Sequence, residues 1–203
     1  MTADKQVWIV RPLPHGKNRM QEFLQQDRIA IGYPTGQSFA NSGVEDLREA
    51  LKRNDWESSL KNVTQFVLKF EIGDYVIVPD DNQQDVYFAE VTSGYQYEET
   101  LDSEDQGYPH QRSVIWHFDK KPLNRQTLPD ELRSSLRFPG AIANVTKHRE
   151  TIEQLLFTKE TADGESPQTN SSRQDKAYDA LEQLLDHEDP AVRLRAAELL
   201  LQY

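Results

Sequence analysis

The sequence predicts a mixed α+β fold: a small, partly closed β-barrel with flanking helices, followed by a C-terminal helical hairpin. Three observations carry that prediction. Short β-branched and aromatic runs recur through residues 6–118. Helical periodicity separates only the early runs. From 73 to 118 strand follows strand across turn residues alone. Parallel strands need a crossover, usually a helix, so strands lacking that rhythm pair antiparallel and close on themselves.

Taken in order, QVWIVRP (6–12) is a strand stopped by Pro12, and NRMQEFLQQD (18–27) sets Met20, Phe23 and Leu24 on one helical face. RIAIGYP (28–34) is a second strand that ends on Gly32, Tyr33 and Pro34. GVEDLREALKR (43–53) opens on acids and closes on Lys52 and Arg53, the arrangement the helix dipole favours. SLKNVTQFVLKF (59–70) spaces Leu60, Val63, Phe66, Val67 and Phe70 along one helical face. The period then changes. GDYVIVPD (73–80) and DVYFAEVTSGYQYE (85–98) form a hairpin across DDNQQ, with a bulge or bend at Ser93-Gly94. HQRSVIWHF (110–118) is a further strand, LPDELRSSL (128–136) a short helix, RFPGAIAN (137–144) a turn and HRETIEQLLF (148–157) another helix.

Residues 1–157 therefore make the main domain. TKETADGESPQTNSS (158–172) lacks apolar periodicity and reads as a flexible linker. Residues 173–203 hold two amphipathic helices that break at HEDP, where Asp189 caps and Pro190 takes the first helical position. Two such helices cannot bury their apolar faces alone. They are expected to dock on the main domain, to form a homodimer or to recruit a partner.

Composition narrows the function classes. With no cysteine among 203 residues, disulfides, thiol catalysis and thiolate metal sites are excluded. The five histidines show no H-E-x-x-H or comparable ligand spacing, so no metal is expected. There is no P-loop, no G-x-G-x-x-G after a strand and no serine nucleophile motif, so no cofactor is expected either. PDDNQQDVYFAEVT offers Asp80 and Glu90 to a divalent cation, but Thr92 stands where a phosphodiesterase core wants a lysine. The N-terminus lacks an apolar h-region and no run approaches a membrane span, so the expected setting is cytoplasmic, with no membrane partner. The chain reads as a binder and not as an enzyme.

The net charge of −11, from 23 basic and 34 acidic residues, argues against a non-specific polyanion binder. Basic residues do bunch locally, at Arg11, His15, Lys17 and Arg19, and again at Lys120, Lys121 and Arg125. Strand ends and turns carry Trp8, Tyr33, Tyr95, Tyr97, Tyr108 and Trp116, with Arg11, His110 and Arg112 nearby. Aromatic faces beside guanidinium groups suit a stacked or extruded base, because every base offers a π-face and hydrogen-bonding edges. For any one of these aromatics barrel core is the commoner reading, Trp116 foremost and the turn residues Tyr33 and Tyr97 least.

The order of the motifs resembles a known family. VWIVRPLPHGKNRMQEFLQQDRIAIGYP, then EDLREALKR, NVTQFVLKFEIGDYVIVP, YFAEVTSGYQYE and YPHQRSVIWH are similar to the PUA/EVE/YTH-like domain at the N-terminus of Mrr-type modification-dependent restriction proteins. The collinear match covers most of residues 6–118 and, more loosely, the chain to about 157. The resemblance implies a PUA-like partly closed barrel whose aromatic pocket receives a nucleobase. By position it carries over Trp8, Tyr33, Tyr95, Tyr97 and Trp116 as the base pocket, with Arg11 and Arg112 beside them; the reading of the residues adds Lys17 and His110 to these as polar or phosphate contacts. Family members often carry Trp where this chain has Tyr33, a smaller face with a hydroxyl. Restriction relatives usually continue into a nuclease or motor domain. Here DPAVRLRAAELLL follows instead and resembles a single HEAT-like repeat. The implied function is a non-catalytic reader of a modified base, flipped from DNA, in a restriction or antiviral defence setting with a separate effector. A sensor of a small nucleotide ligand with the same pocket, or an RNA-binding PUA-like module, is the alternative.

Overall fold

The computed structural model describes residues 4–104, 107–162 and 193. The chain divides after Leu156, and the fold below is that of the first unit. Its strands are β1 (Val7–Val10), β2 (Arg28–Ile31), β3 (Tyr75–Pro79), β4 (Asp85–Val91), β5 (Gln96–Tyr97), β6 (His110–Trp116), β7 (Leu123–Asn124) and β8 (Ile142–Asn144). Its helices are α1 (Met20–Gln26), α2 (Val44–Arg53), α3 (Leu60–Leu68), α4 (Asp130–Ser135) and the part of α5 (Arg149–Ala162) up to Leu156. The class is mixed α+β. The sheet runs β2-β6-β4-β3-β1-β8, with β5 on β6 and β7 on β4, and curls into a half-barrel.

The β3–β4 hairpin pairs Tyr75 with Glu90 through to Pro79 with Val86, as the turn DDNQQ predicts. The bend at Ser93-Gly94 lets the chain leave β4 and return as β5, which pairs Tyr97 with His110 on β6. One pair departs from the all-antiparallel expectation: β1 lies parallel to β3, with Val7 opposite Tyr75 and Ile9 opposite Ile77. The segment from α1 to α3 supplies the crossover that a parallel pair needs. Two short strands escape the sequence reading. β7 holds 2 residues and β8 holds 3, too few to show a period, and β8 falls where a turn was expected. β8 forms because it completes the open edge of β1, pairing Trp8 with Asn144 and Val10 with Ile142.

VWIV carries no polar alternation because both faces of β1 are covered. Trp8 and Val10 point into a core with Phe23, Ile29, Phe39 and Phe66, under α1, α2 and α3. Val7 and Ile9 point the other way, to Ile77, Phe88, Leu132 and Ile152, under α4 and α5. At the start of α2 the Asp46 carboxylate accepts from the Gly43 amide at 2.7 Å, satisfying an amide just outside the helix. α5 runs on to Ala162, into the stretch read as linker. The rest of that linker and the hairpin expected over 173–203 lie outside the described residues, residue 193 apart. Among the described residues no helix is long and apolar enough to cross a membrane.

Candidate binding site

Aromatic side chains meet at the exit of β2. Tyr33 follows Gly32 with φ +67°, a left-handed backbone that costs a non-glycine residue of order 1–2 kcal/mol. A buried network holds it there. The Tyr33 carbonyl can only accept, so His110 Nε2, 3.0 Å away, is the protonated nitrogen. His110 Nδ1 is then the acceptor, and the Tyr95 hydroxyl donates to it at 2.7 Å while itself accepting from the Phe39 amide at 3.2 Å. Phe39 stacks on the imidazole at 4.7 Å and 16°. Burial drives the His110 pKa down to about 4, against the pull of the Tyr33 carbonyl and the Asp102 charge, so the ring is neutral.

The loop from Gly32 to Gly43 is pinned a second time through Asp102. Its Oδ2 accepts from the Tyr97 hydroxyl at 2.5 Å and from the Gly36 amide at 2.9 Å. Burial and that carboxylate raise the pKa of Tyr97. Towards solvent the Tyr33 hydroxyl accepts from Asn62 Nδ2 at 3.3 Å, and its ring meets Trp56 edge-on at 5.0 Å. Trp56 in turn meets His15 edge-on at 5.3 Å. Tyr33, Trp56 and His15 are all half-buried. Two atoms here are buried without a hydrogen-bond partner among the described residues: His15 Nε2 and Thr35 Oγ1. Orphaned polar atoms of this kind call for an explanation, a bound group being one.

Gly32 makes the approach of His15 possible. A Cβ there would sit 3.0 Å from His15 Nε2 and 3.4 Å from the Gly107 carbonyl. Gly32→Ala is expected to cost about 1–3 kcal/mol by overpacking, read as a lowered urea midpoint at unchanged m-value.

Of the nine residues singled out from the sequence, the structure brings together Tyr33, Tyr95, Tyr97 and His110. Trp8 lies elsewhere, 2% exposed, its Nε1 donating to Asp74 at 2.8 Å and its ring stacked on Phe70 at 4.4 Å. It lies at a hollow of about 490 Å³ with Val44, Leu60 and Gln65, whose Oε1 is buried and without a partner among the described residues. Trp116 is 7% exposed and packs edge-on against Tyr87 at 6.2 Å. Arg112 is buried and donates to backbone carbonyls of Phe66, Val67 and Ser93. Arg11 donates to the Leu136 and Phe138 carbonyls beyond α4, and Lys17 is exposed. His15, Trp56, Asn62 and Asp102 complete the cluster without having been read as site residues. Only Trp56 carries a local signal, a single large aromatic in the polar stretch RNDWESS between two helices.

Residues 8–137 match the model of DUF8426, a domain of unknown function. The chain belongs to the DUF8426 family. The match spans β1 to the end of α4 and so contains the whole Tyr33 cluster, while β8 and α5 lie beyond it. No curated protein matches the chain. Among solved structures this DUF8426 chain is similar to protein Atu2648 from Agrobacterium tumefaciens, at 11% identity and a TM-score of 0.34. That likeness covers 70% of this chain and 86% of the other, and it is too distant to bear on function.

Proposed function

We propose that this DUF8426 chain is a non-catalytic nucleic-acid reader that receives a modified base of DNA against Tyr33 and Trp56. One observation carries the reading: two half-buried aromatic rings set edge-on, beside a buried imidazole nitrogen that has no partner among the described residues. A base extruded from a duplex needs a π-face to replace its lost stacking and polar atoms to meet its edges. Tyr33 and Trp56 supply the first, and His15, Thr35 and the Tyr33–Asn62 pair supply the second. The bound base completes an array that His110, Tyr95 and Asp102 already hold in place. Cleavage, in this reading, belongs to a separate effector in a restriction setting.

Fluorescence anisotropy with short duplexes, unmodified or carrying single modified cytosines or adenines, tests this at two salt concentrations. Stacking contributes about 1–3 kcal/mol per base, so Tyr33→Ala should weaken binding to the preferred modified duplex by roughly 5- to 150-fold. Lys17→Ala should lower affinity alike for modified and unmodified duplexes and flatten the salt dependence. Equal losses on both duplexes in both variants would remove Tyr33 from the site.

A second reading, a small nucleotide ligand, is favoured by the hollow beside Trp8, where Gln65 Oε1 lacks a partner among the described residues. A small ligand needs no extended basic track, which suits a net charge of −11. Thermal stabilisation by free nucleosides or nucleotides, with no duplex binding, would select it.

A further inference from the structure

On a protein this acidic, arginines gather around the short helix α4. Arg125, Gln126, Asp130, Arg133, Ser134 and Arg137 line a cleft of about 280 Å³. Arg125, Gln126 and Arg137 also border an adjoining cavity of about 410 Å³, reached by Arg11. Two of the four guanidinium groups are committed within the fold. Arg11 donates to the Phe138 carbonyl at 2.6 and 3.1 Å, and Arg133 pairs with Asp130 and donates to Gln126 Oε1 at 3.1 Å. Arg125 and Arg137 differ. Arg125 has only a long contact of 3.5 Å to the Arg133 carbonyl, and among the described residues neither has a carboxylate partner. Among the described residues Asp130 is the one carboxylate lining the cleft and is paired with Arg133, whereas Asp80 and Asp81 border only the larger cavity, with Asp80 occupied by Asn18 and the Asp81 amide.

We infer that the cleft at α4 is a phosphate-binding site, with Arg125 and Arg137 as its principal donors and Ser134 and Gln126 completing the set. A guanidinium presents paired N–H groups that match two phosphate oxygens, and at the half-buried Arg125 such charge-assisted bonds are stronger than at an open surface. The arginines also oppose one another. Burial and then the charges of Arg11 and Arg137 push the Arg125 pKa down, so an anion seated between them relieves a repulsion that the protein otherwise carries. The ligand is a phosphate group, from either a nucleic-acid backbone or a free polyphosphate. The inference stands on the arginine geometry and needs nothing from the Tyr33 cluster.

The test is isothermal titration calorimetry of the full chain with sodium tripolyphosphate at low salt and pH 7.5. Wild type should show saturable one-to-one binding. Arg125→Gln and Arg137→Gln should each weaken it at least about tenfold, and Arg125→Lys, which keeps the charge and loses the fork, severalfold. Arg53→Gln, an exposed arginine on α2, should leave it unchanged. No saturable heat, or an equal loss in Arg53→Gln, overturns the site. Arg137 is exposed, so a melting temperature of Arg137→Gln at or above wild type excludes misfolding as the cause of its loss. Competition by a short unmodified single strand assigns the phosphate to a backbone, and its absence assigns a free ligand. Tyr33→Ala should bind tripolyphosphate as wild type does, which separates failure of this site from failure of the base-reading proposal.

Discussion

Arg112→Met should destabilise the fold by about 3–5 kcal/mol, the largest effect expected of any single substitution discussed. The side chain is 3% exposed and donates to Phe66 O at 2.9 Å, Val67 O at 3.0 Å and Ser93 O at 3.2 Å. The first two are carbonyls in the last turn of α3, which have no amide of their own to accept from. One guanidinium therefore ends a helix and ties it to the bend after β4. Burial depresses the Arg112 pKa to about 10, opposed by the charge of Asp74 and then that of Tyr95. Methionine fills similar volume but leaves three acceptors unpaired. Chemical denaturation should show a lower midpoint with an unchanged slope, and Arg112→Lys should fall between. A loss under about 1 kcal/mol would mean that water satisfies the carbonyls and that the arginine is dispensable.

Acid should loosen the loop that carries Tyr33. His110 is 0% exposed, and its pKa falls from 6.5 in the unfolded chain to about 4 in the fold. The neutral ring is the folded form, so its contribution is fully present above pH 6.5. It declines as pH falls from about 6.5 to about 4, where the unfolded chain binds the proton first. The whole swing is about 3 kcal/mol. Protonation also breaks the local wiring. A charged imidazole donates at both nitrogens, so Nδ1 can no longer accept from Tyr95, and the Tyr95 hydroxyl must turn its proton away and offer its second lone pair instead. The buried His148 also has a lowered pKa and pulls the same way, so the test is a difference. Unfolding free energies at pH 7, 5.5 and 4.5 should show His110→Gln less stable at pH 7 and flatter with pH than wild type. Parallel profiles would sink the assignment.

The strands and helices were legible where a run was long enough to show its period. α2 and α3 repeat their apolar residues on one face, and the β3–β4 hairpin announces its own turn. β7 and β8 were not legible, since strands of 2 and 3 residues contain no repeat and exist only because a neighbouring edge accepts them. The parallel pairing of β1 with β3 was hidden for a related reason: the crossover is a whole β-α assembly, not one helix. The residue types of the site were visible in part. Tyr33 at a Gly-to-Pro exit and Tyr97 near an acidic loop were read as the aromatics least committed to the core, and both are half-buried at the loop. Trp8 and Arg112 were read beside them from the same kind of signal. The curl of the sheet and the cover of α2 and α3 place both in the interior instead.

The sequence by itself determined the class of fold, the absence of thiol chemistry and which segments alternate, because composition and period are local properties of the chain. Which aromatics share one neighbourhood was decided by tertiary structure alone. His15, Tyr33, Trp56 and His110 come from separate segments, and α2 intervenes between Tyr33 and Trp56. The same holds for the arginines at α4, where Arg11, from the segment just after β1, shares a cavity with Arg125 and Arg137. Proximity of that kind follows from the closure of the sheet and the packing of helices on its two faces, which no local pattern encodes.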